Sequence, residues 1–293
     1  MNARFTIENG YMRVRQCRHG LMLYNVNDYY MGRAYDTYGE DQECELRLLS
    51  RFIGPGQVIL DVGANIGTHT VFFSRCAGAQ GTVLAFEPQR VIYQNLCANL
   101  ALNGIRNVHA IWCGVGSENG RLFVPAIDYA VRNNFGGISF KDSVKGEGVP
   151  RISIDSLNLP ACHFIKIDVE GMENEVLAGA EKTISAFAPA LFVENHQKEY
   201  SRELIARVLA LGYRCYWSLT PLWNPDNFDG KKENIFGAVV TVNMLCLHAS
   251  RKVTVRGLTE IRDPDSDWRE ATILAMPPEE GSGPGEGAAP PRP

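Results

Sequence analysis

The sequence predicts an α/β protein in which helices cover both faces of a mostly parallel sheet. Three observations carry that prediction. A short apolar, β-branched run ending on Asp61 feeds a glycine-bounded turn, in Gln57-Val-Ile-Leu-Asp-Val-Gly-Ala-Asn-Ile-Gly67. A second such run, Thr82 to Phe86, ends on Glu87. Further runs at Val108 to Trp112, Phe164 to Ile167 and Ala190 to Val193 alternate with segments of helical periodicity, the pattern of a parallel sheet buried on both faces.

Taken in order, residues 1–37 read as a small N-terminal extension. Tyr11 to Arg15 and Leu21 to Tyr24 alternate weakly around Arg18-His-Gly20, which suggests a hairpin, and an aromatic-rich stretch follows. That stretch either covers the main domain or makes a contact between two copies in a homodimer. Cys44 to Phe52 reads as a helix with Leu46, Leu48, Leu49 and Phe52 on one face, stopped by Gly54-Pro-Gly56. Thr68 to Cys76 and Val91 to Leu102 read as helices, the second stopped by Asn103-Gly104. A Gly/Asn-rich loop at about 128–148 lies between two strands, as a substrate loop or a tolerated insertion. Glu173 to Ala186 and Tyr200 to Leu211 read as helices, and Tyr213 to Trp217 and Phe236 to Leu247 as the last two strands. The main domain is expected over 38–250, and the Pro/Gly-rich segment 251–293 is expected to be largely disordered.

The strand–turn–helix–strand–acid unit suits an adenosine. The turn sits at a helix N-terminus with free N–H groups, and Glu87 is placed to accept hydrogen bonds from both ribose hydroxyls. Dinucleotide sites favour Gly-x-Gly-x-x-Gly, whereas here Asp61 leads and Asn65 replaces the middle glycine. A leading carboxylate repels a pyrophosphate but suits an ammonium and a sulfonium, which points to S-adenosylmethionine. Its expected contacts are Asp61, Gly63, Ala64, Asn65, Gly67, Thr68, Glu87 and Pro88, with Cys113, Gly114 and Asp168 from the neighbouring strand ends.

Asp61-Val-Gly-Ala-Asn-Ile-Gly67, Ala85-Phe-Glu-Pro88, Asn99-Leu-Ala-Leu-Asn103 and Phe164-Ile-Lys-Ile-Asp-Val-Glu-Gly171 together resemble the FkbM family of S-adenosylmethionine-dependent methyltransferases, in register from about Tyr38 to Leu247. The resemblance implies a Rossmann-like class I methyltransferase fold, with a seven-stranded sheet closed by an antiparallel strand. It also implies that Tyr38, Gly39 and Glu40 reach over the cofactor. The acceptor it implies is a hydroxyl on a sugar, a glycan or another small molecule.

Strand ends carry Asp61, Glu87, Asp168 and Glu194, on the sheet edge where open α/β folds bind ligands. Methyl transfer to a hydroxyl requires alignment and a base, for which Asp168, Glu170, Glu194 and His196 are the candidates. Magnesium is a second route, with Asp168, Glu194 and Asn195 as oxygen ligands. Tyr38, Glu40 and Trp223 are candidate substrate contacts; Trp223 with Tyr216, Trp217 and Phe228 forms either a stacking wall or core. Asp168-Val-Glu-Gly171 is not the Asn/Asp-Pro-Pro-aromatic run of nucleobase amino-methylating enzymes, and no Pro-Cys pair suggests cytosine-C5 chemistry.

A net charge of -4 and pI near 5.9 argue against a nucleic-acid partner. The eight cysteines show no metal spacing, no run of about 18 apolar residues suggests a membrane span, and no leader is evident, so the expected location is the cytoplasm. Two other functional classes share these features: an NAD-dependent oxidoreductase, and a methyltransferase-like binding protein without turnover.

Overall fold

The computed structural model describes residues 6–274 of the 293-residue chain. Three antiparallel strands open it, β1 (Thr6–Asn9), β2 (Met12–Cys17) and β3 (Gly20–Asn25), so the expected hairpin gains one strand. The aromatic stretch forms a helix, α1 (Met31–Tyr38), which the sequence reading did not anticipate, and α2 (Glu43–Leu49) follows. Then come β4 (Val58–Val62), α3 (Thr68–Ala77), β5 (Thr82–Phe86), α4 (Arg90–Leu102) and β6 (Val108–Ile111). A small side sheet contains β7 (Gly114–Val115), β8 (Gly120–Val124) and β9 (Glu147–Ile152). The chain returns through β10 (Phe164–Ile167), α5 (Glu173–Ala178), α6 (Glu181–Phe187), β11 (Ala190–Glu194), α7 (Lys198–Ala210), β12 (Tyr213–Pro221), β13 (Val240–His248) and β14 (Thr259–Ile261).

The main sheet runs β14-β12-β13-β11-β10-β4-β5-β6. β6, β5, β4, β10 and β11 are parallel, and β13 enters antiparallel between β11 and β12. This is the Rossmann-like class I arrangement, with one correction. The sheet has eight strands rather than seven, because β14 pairs antiparallel with β12 at the edge. Residues 251–274 therefore belong to the fold and not to a free tail; the remainder of the segment expected to be disordered, 275–293, lies outside the described residues. Leu60, Val62, Ile165, Ile167, Leu191 and Val193 build the core on one sheet face, and Ile59, Phe73, Phe164 and Phe192 on the other.

One expected helix is broken. The segment read as Glu173 to Ala186 is α5 and α6, separated at Gly179-Ala180. A Cβ on Gly179 would lie 2.1 Å from the Gly116 carbonyl oxygen, so the side sheet presses on the break. Asp155 then caps α6, accepting from the backbone N–H of Lys182 and Thr183 at 3.0 and 2.8 Å.

The N-terminal sheet is fastened through the paired asparagines of α4. Asn99, fully buried, accepts from the Leu23 N–H at 2.6 Å and donates to the Leu23 and Ile66 carbonyls. One turn on, Asn103 accepts from the Leu21 N–H and donates to the Leu21 carbonyl. Their i, i+4 spacing puts both amides on one helix face, where they stand in for a neighbouring strand along the edge of β3.

Candidate active site

A cavity of about 470 Å³ opens beyond the C-terminal ends of β4, β5, β10 and β11. Gly63, Ala64, Asn65 and Thr68 line it from the first turn, Glu87 and Pro88 from the end of β5, and Cys113 and Gly114 from the start of the side sheet. Asp168, Glu170, Glu194 and His196 line it from the ends of β10 and β11. The structure thus gathers most of the residues expected from the sequence.

The turn has its own logic. Gly63 has φ +82°, and a Cβ there would lie 1.8 Å from the Asp168 carbonyl oxygen. At Gly67 (φ +95°) a Cβ would lie 2.7 Å from Leu96 Cδ1. Both glycines therefore answer to neighbouring protein atoms, and Gly67 is not on the cavity wall. Asn65, in place of a middle glycine, sits at φ +50° and caps itself locally, its Oδ1 accepting from the Ile66 N–H.

Glu87 is buried; its Oε2 accepts from the Asn65 N–H at 3.0 Å and its Oε1 from the Gln89 N–H at 2.7 Å. Each oxygen keeps a second acceptor site for a ribose hydroxyl. Burial pushes its pKa up to about 7, against the pull of those two N–H groups.

Asp61 is placed differently from the expectation. It is completely buried and does not reach the cavity. It accepts from the Thr70 hydroxyl at 2.6 Å and lies 3.7 Å from Lys166 Nζ. β4 and β10 set Asp61 and Lys166 side by side in register. Lys166 Nζ also reaches Asp168 at 3.0 Å. Burial works against the ammonium, but the charges of Asp168 and Asp61 outweigh it and hold its pKa above the ordinary value. Asp168 is only partly buried, its side chain 33% exposed, and Lys166 keeps it below the usual carboxylate range.

Beyond this pair lies a proton-sharing cluster. His196 Nδ1 is 3.1 Å from Glu194 Oε1, and its Nε2 is 3.8 Å from Glu170 Oε2. Glu194 also shares a hydrogen bond with Asp168. Burial, then the Asp168 charge, raise Glu194 well above the carboxylate range. Burial and the Glu194 charge push Glu170 up to about 9. Glu170 has φ +54°, an uncommon backbone state for its residue type and one that concentrates at working sites.

The expected magnesium ligands do not assemble. Asn195 is buried, donates to Met244 Sδ and is not on this cavity wall. Among the described residues, Glu170, Glu194 and His196 instead bring donor atoms within 4.8 Å of one another.

The three expected substrate contacts also lie elsewhere, none of them on the cavity wall. The Tyr38 hydroxyl donates to the Glu233 carbonyl and accepts from the Ile235 N–H. Glu40 is buried against Arg18, Asn224 and the Phe228 N–H. Trp223 packs beside Tyr38 and Phe236, while Tyr216 and Trp217 belong to the core. The chain does reach the cavity one residue after Glu40, through Asp41, Gln42 and Glu45.

The 128–148 loop forms part of the wall through Asn134, Gly136, Gly137, Ile138 and Phe140. Gln89 Nε2 donates to the Phe135 carbonyl at 2.8 Å, and the Phe135 N–H donates to Asp28 at 3.2 Å. Trp268 completes the wall from the segment after β14. Nothing local in the sequence marks Asp28, Asp41, Glu45, His69 or Trp268 for this cavity.

Among the described lining residues, the carboxyl groups Asp28, Asp41, Glu45, Glu87, Asp168, Glu170 and Glu194 face one lysine, Lys166, and two histidines, His69 and His196. Such a wall favours a cationic ligand. It also has a cost that varies with pH. Glu87 is held near pKa 7, Asp41 near 8 and Glu170 near 9, each above its value in the unfolded chain. Between about pH 4.5 and 9 the folded state therefore binds more protons than the unfolded one, and stability falls as pH rises. The melting temperature of the ligand-free protein is expected to drop by on the order of 5 °C from pH 6 to pH 9. Scanning calorimetry across that interval checks this; a flat or rising trend would refute it.

Five parallel strands with β13 inserted antiparallel between β11 and β12, and a cleft beyond the parallel strand ends, make up the class I methyltransferase fold. The profile described as the methyltransferase FkbM domain matches residues 61–215, and the chain belongs to that family. Methyltransferase sdnD of Sordaria araneosa is 33% identical over 158 residues, 42% of this chain and 60% of that protein. Hexuronic acid methyltransferase AglP of Haloferax volcanii is 27% identical over 170 residues, 53% of this chain and 62% of that protein. The matches thus span less than two thirds of these relatives' lengths. The crystal structure of an FkbM methyltransferase from Methylobacillus flagellatus aligns over 69% of this chain and 50% of that one, at 19% identity and TM-score 0.46. No helix among the described residues is long and apolar enough to cross a membrane.

Proposed function

We propose that the chain transfers a methyl group from S-adenosylmethionine to a hydroxyl of a sugar, a glycan or a small metabolite, with His196 as the base. The observation that carries this reading is the His196–Glu194 contact of 3.1 Å on the wall of the cavity that also holds Glu87. S-adenosylmethionine, when bound, supplies a methyl on a sulfonium that needs no further activation. What remains for the protein is to hold, align and deprotonate.

Glu87 would take the ribose hydroxyls, with Gly63, Ala64, Asn65, Thr68 and Pro88 along the same wall and Cys113 and Gly114 beside the adenine. Gly67 shapes the turn from behind. Glu194 fixes the His196 ring through Nδ1, leaving Nε2 to take the acceptor proton. Lys166 keeps Asp168 ionised, so Asp168 supplies fixed negative charge near the cationic cofactor, and Asp61 acts through Lys166 from beneath. The acid excess disfavours an acceptor that itself carries a carboxylate. A neutral sugar or polyol suits this wall better than the hexuronate in the name of AglP.

A second reading places a divalent cation on Glu170, Glu194 and His196, favoured by the convergence of their donor atoms. It would occupy the His196 lone pair and remove that residue as a base.

Titration calorimetry with S-adenosylmethionine, S-adenosylhomocysteine and NAD, each with and without magnesium, tests the assignment. The first two are expected to bind and NAD is not. Glu87→Ala should weaken both by about 1–3 kcal/mol through loss of the ribose contacts. Unchanged affinity in that variant would remove Glu87 from the site, and binding of NAD alone would favour an oxidoreductase. Tight binding with no methylation of any sugar or polyol offered would favour a binding protein.

A further inference from the structure

Asp41 is the buried acid for which the cavity provides least. It lines the wall and is only 5% exposed, yet its Oδ2 has no hydrogen-bond partner. The Gln42 N–H offers it partial relief, while the charges acting on it most strongly are those of Asp28, Glu45 and Glu40, all of its own sign. Burial and those charges push it up to about 8.

The neighbouring acids are already engaged. Asp28 accepts from the Tyr30, Gly32 and Phe135 N–H groups. Glu45 accepts from Thr241 and Asn243 and lies 2.7 Å from His69 Nε2. Of these neighbouring acids Asp41 alone keeps an oxygen without a hydrogen-bond partner, and one oxygen does not make a divalent-metal site. A neutral hydroxyl would satisfy the oxygen but leave the like charges unrelieved. A small cation with N–H donors would do both.

We propose that Asp41 is the seat of a primary ammonium group on a bound ligand. Resting on the methyltransferase reading, two sources fit: the α-ammonium of the cofactor's methionine end, or an amino group on the acceptor. The first is favoured by placement, because Asp41 shares the cavity wall with Gly63, Ala64 and Thr68 of the first turn.

The test uses the full chain and the near-isosteric Asp41→Asn, with Asp41→Ser as a second variant. S-adenosylhomocysteine carries the ammonium, and 5′-methylthioadenosine lacks the whole amino-acid end. If the cofactor is the source, both variants should bind S-adenosylhomocysteine at least about tenfold more weakly and 5′-methylthioadenosine within about twofold of wild type. If the acceptor is the source, both nucleosides bind as in wild type. A wild-type preference for glucosamine over glucose, measured with S-adenosylhomocysteine bound, is then lost in the variants. Equal weakening of the two nucleosides overturns the inference, as does the absence of any change. A wild type that binds neither nucleoside overturns the methyltransferase reading and this inference with it. Wild-type binding of the nucleosides, with variants unchanged both in nucleoside binding and in any glucosamine preference, overturns this inference alone. Removing one of several like charges should also raise the melting temperature of ligand-free Asp41→Asn above wild type.

Discussion

Replacing His196 by Ala is expected to lower kcat by about 10²- to 10⁴-fold, the usual contribution of a positioned base. Affinity for S-adenosylhomocysteine should stay within about twofold of wild type, since a loss confined to the transition state leaves ground-state binding intact. The geometry behind this is the 3.1 Å contact of Nδ1 with Glu194 on the cavity wall, with Nε2 3.8 Å from Glu170. Glu194→Gln keeps the shape but alters the ring's partner, so it should lower kcat less than loss of the ring. The assay is transfer to the first sugar or polyol that the wild type methylates. A His196→Ala enzyme with wild-type kcat would move the base to Glu170 or Asp168. A His196→Ala enzyme that loses activity only because magnesium no longer binds would favour the metal reading.

Replacing Lys166 by Met is expected to cost the fold about 3–5 kcal/mol, the penalty for stranding buried charge when one partner is removed. Lys166 is 3% exposed and stands between Asp61, fully buried at 3.7 Å, and Asp168 at 3.0 Å. Asp61 retains Thr70 in the variant, but one hydroxyl cannot replace an ammonium. Asp168 would lose the charge that keeps it ionised, so cofactor affinity should fall as well. Adding Asp61→Asn to Lys166→Met should recover part of the lost stability, since it removes the stranded charge. Urea unfolding of the two variants and wild type decides the matter. A loss below about 1 kcal/mol would mean that Lys166 does not neutralise the acids beneath the site.

The glycine turn and its partner acid were legible because their signals are local. A strand, a glycine turn, a helix start and a strand-end acid occupy neighbouring stretches of sequence, and Gly63, Asn65 and Glu87 sit together as expected. The cluster of Asp168, Glu170, Glu194 and His196 was legible for a similar reason, since these residues follow directly on two recognisable strands. Sequence misjudged Asp61 because the pattern shows an acid at a strand end and not which way the side chain points. It also misjudged Tyr38, Glu40 and Trp223, whose aromatic and acidic character serves packing and buried hydrogen bonds.

The sequence by itself determined the strand-and-helix alternation, the glycine turn and the acids at the strand ends, because backbone conformation and burial periodicity are short-range properties. Only the tertiary structure decided the ion pair beneath the site, which requires β4 and β10 to lie in register with Lys166 beside Asp61. The same holds for the wall residues Asp28, Asp41, Trp268 and the 128–148 loop, which come from segments far apart in the chain. Whether such residues meet depends on strand order and on how the Asn99 and Asn103 amides dock the N-terminal sheet. Those are long-range contacts, and no local pattern encodes them.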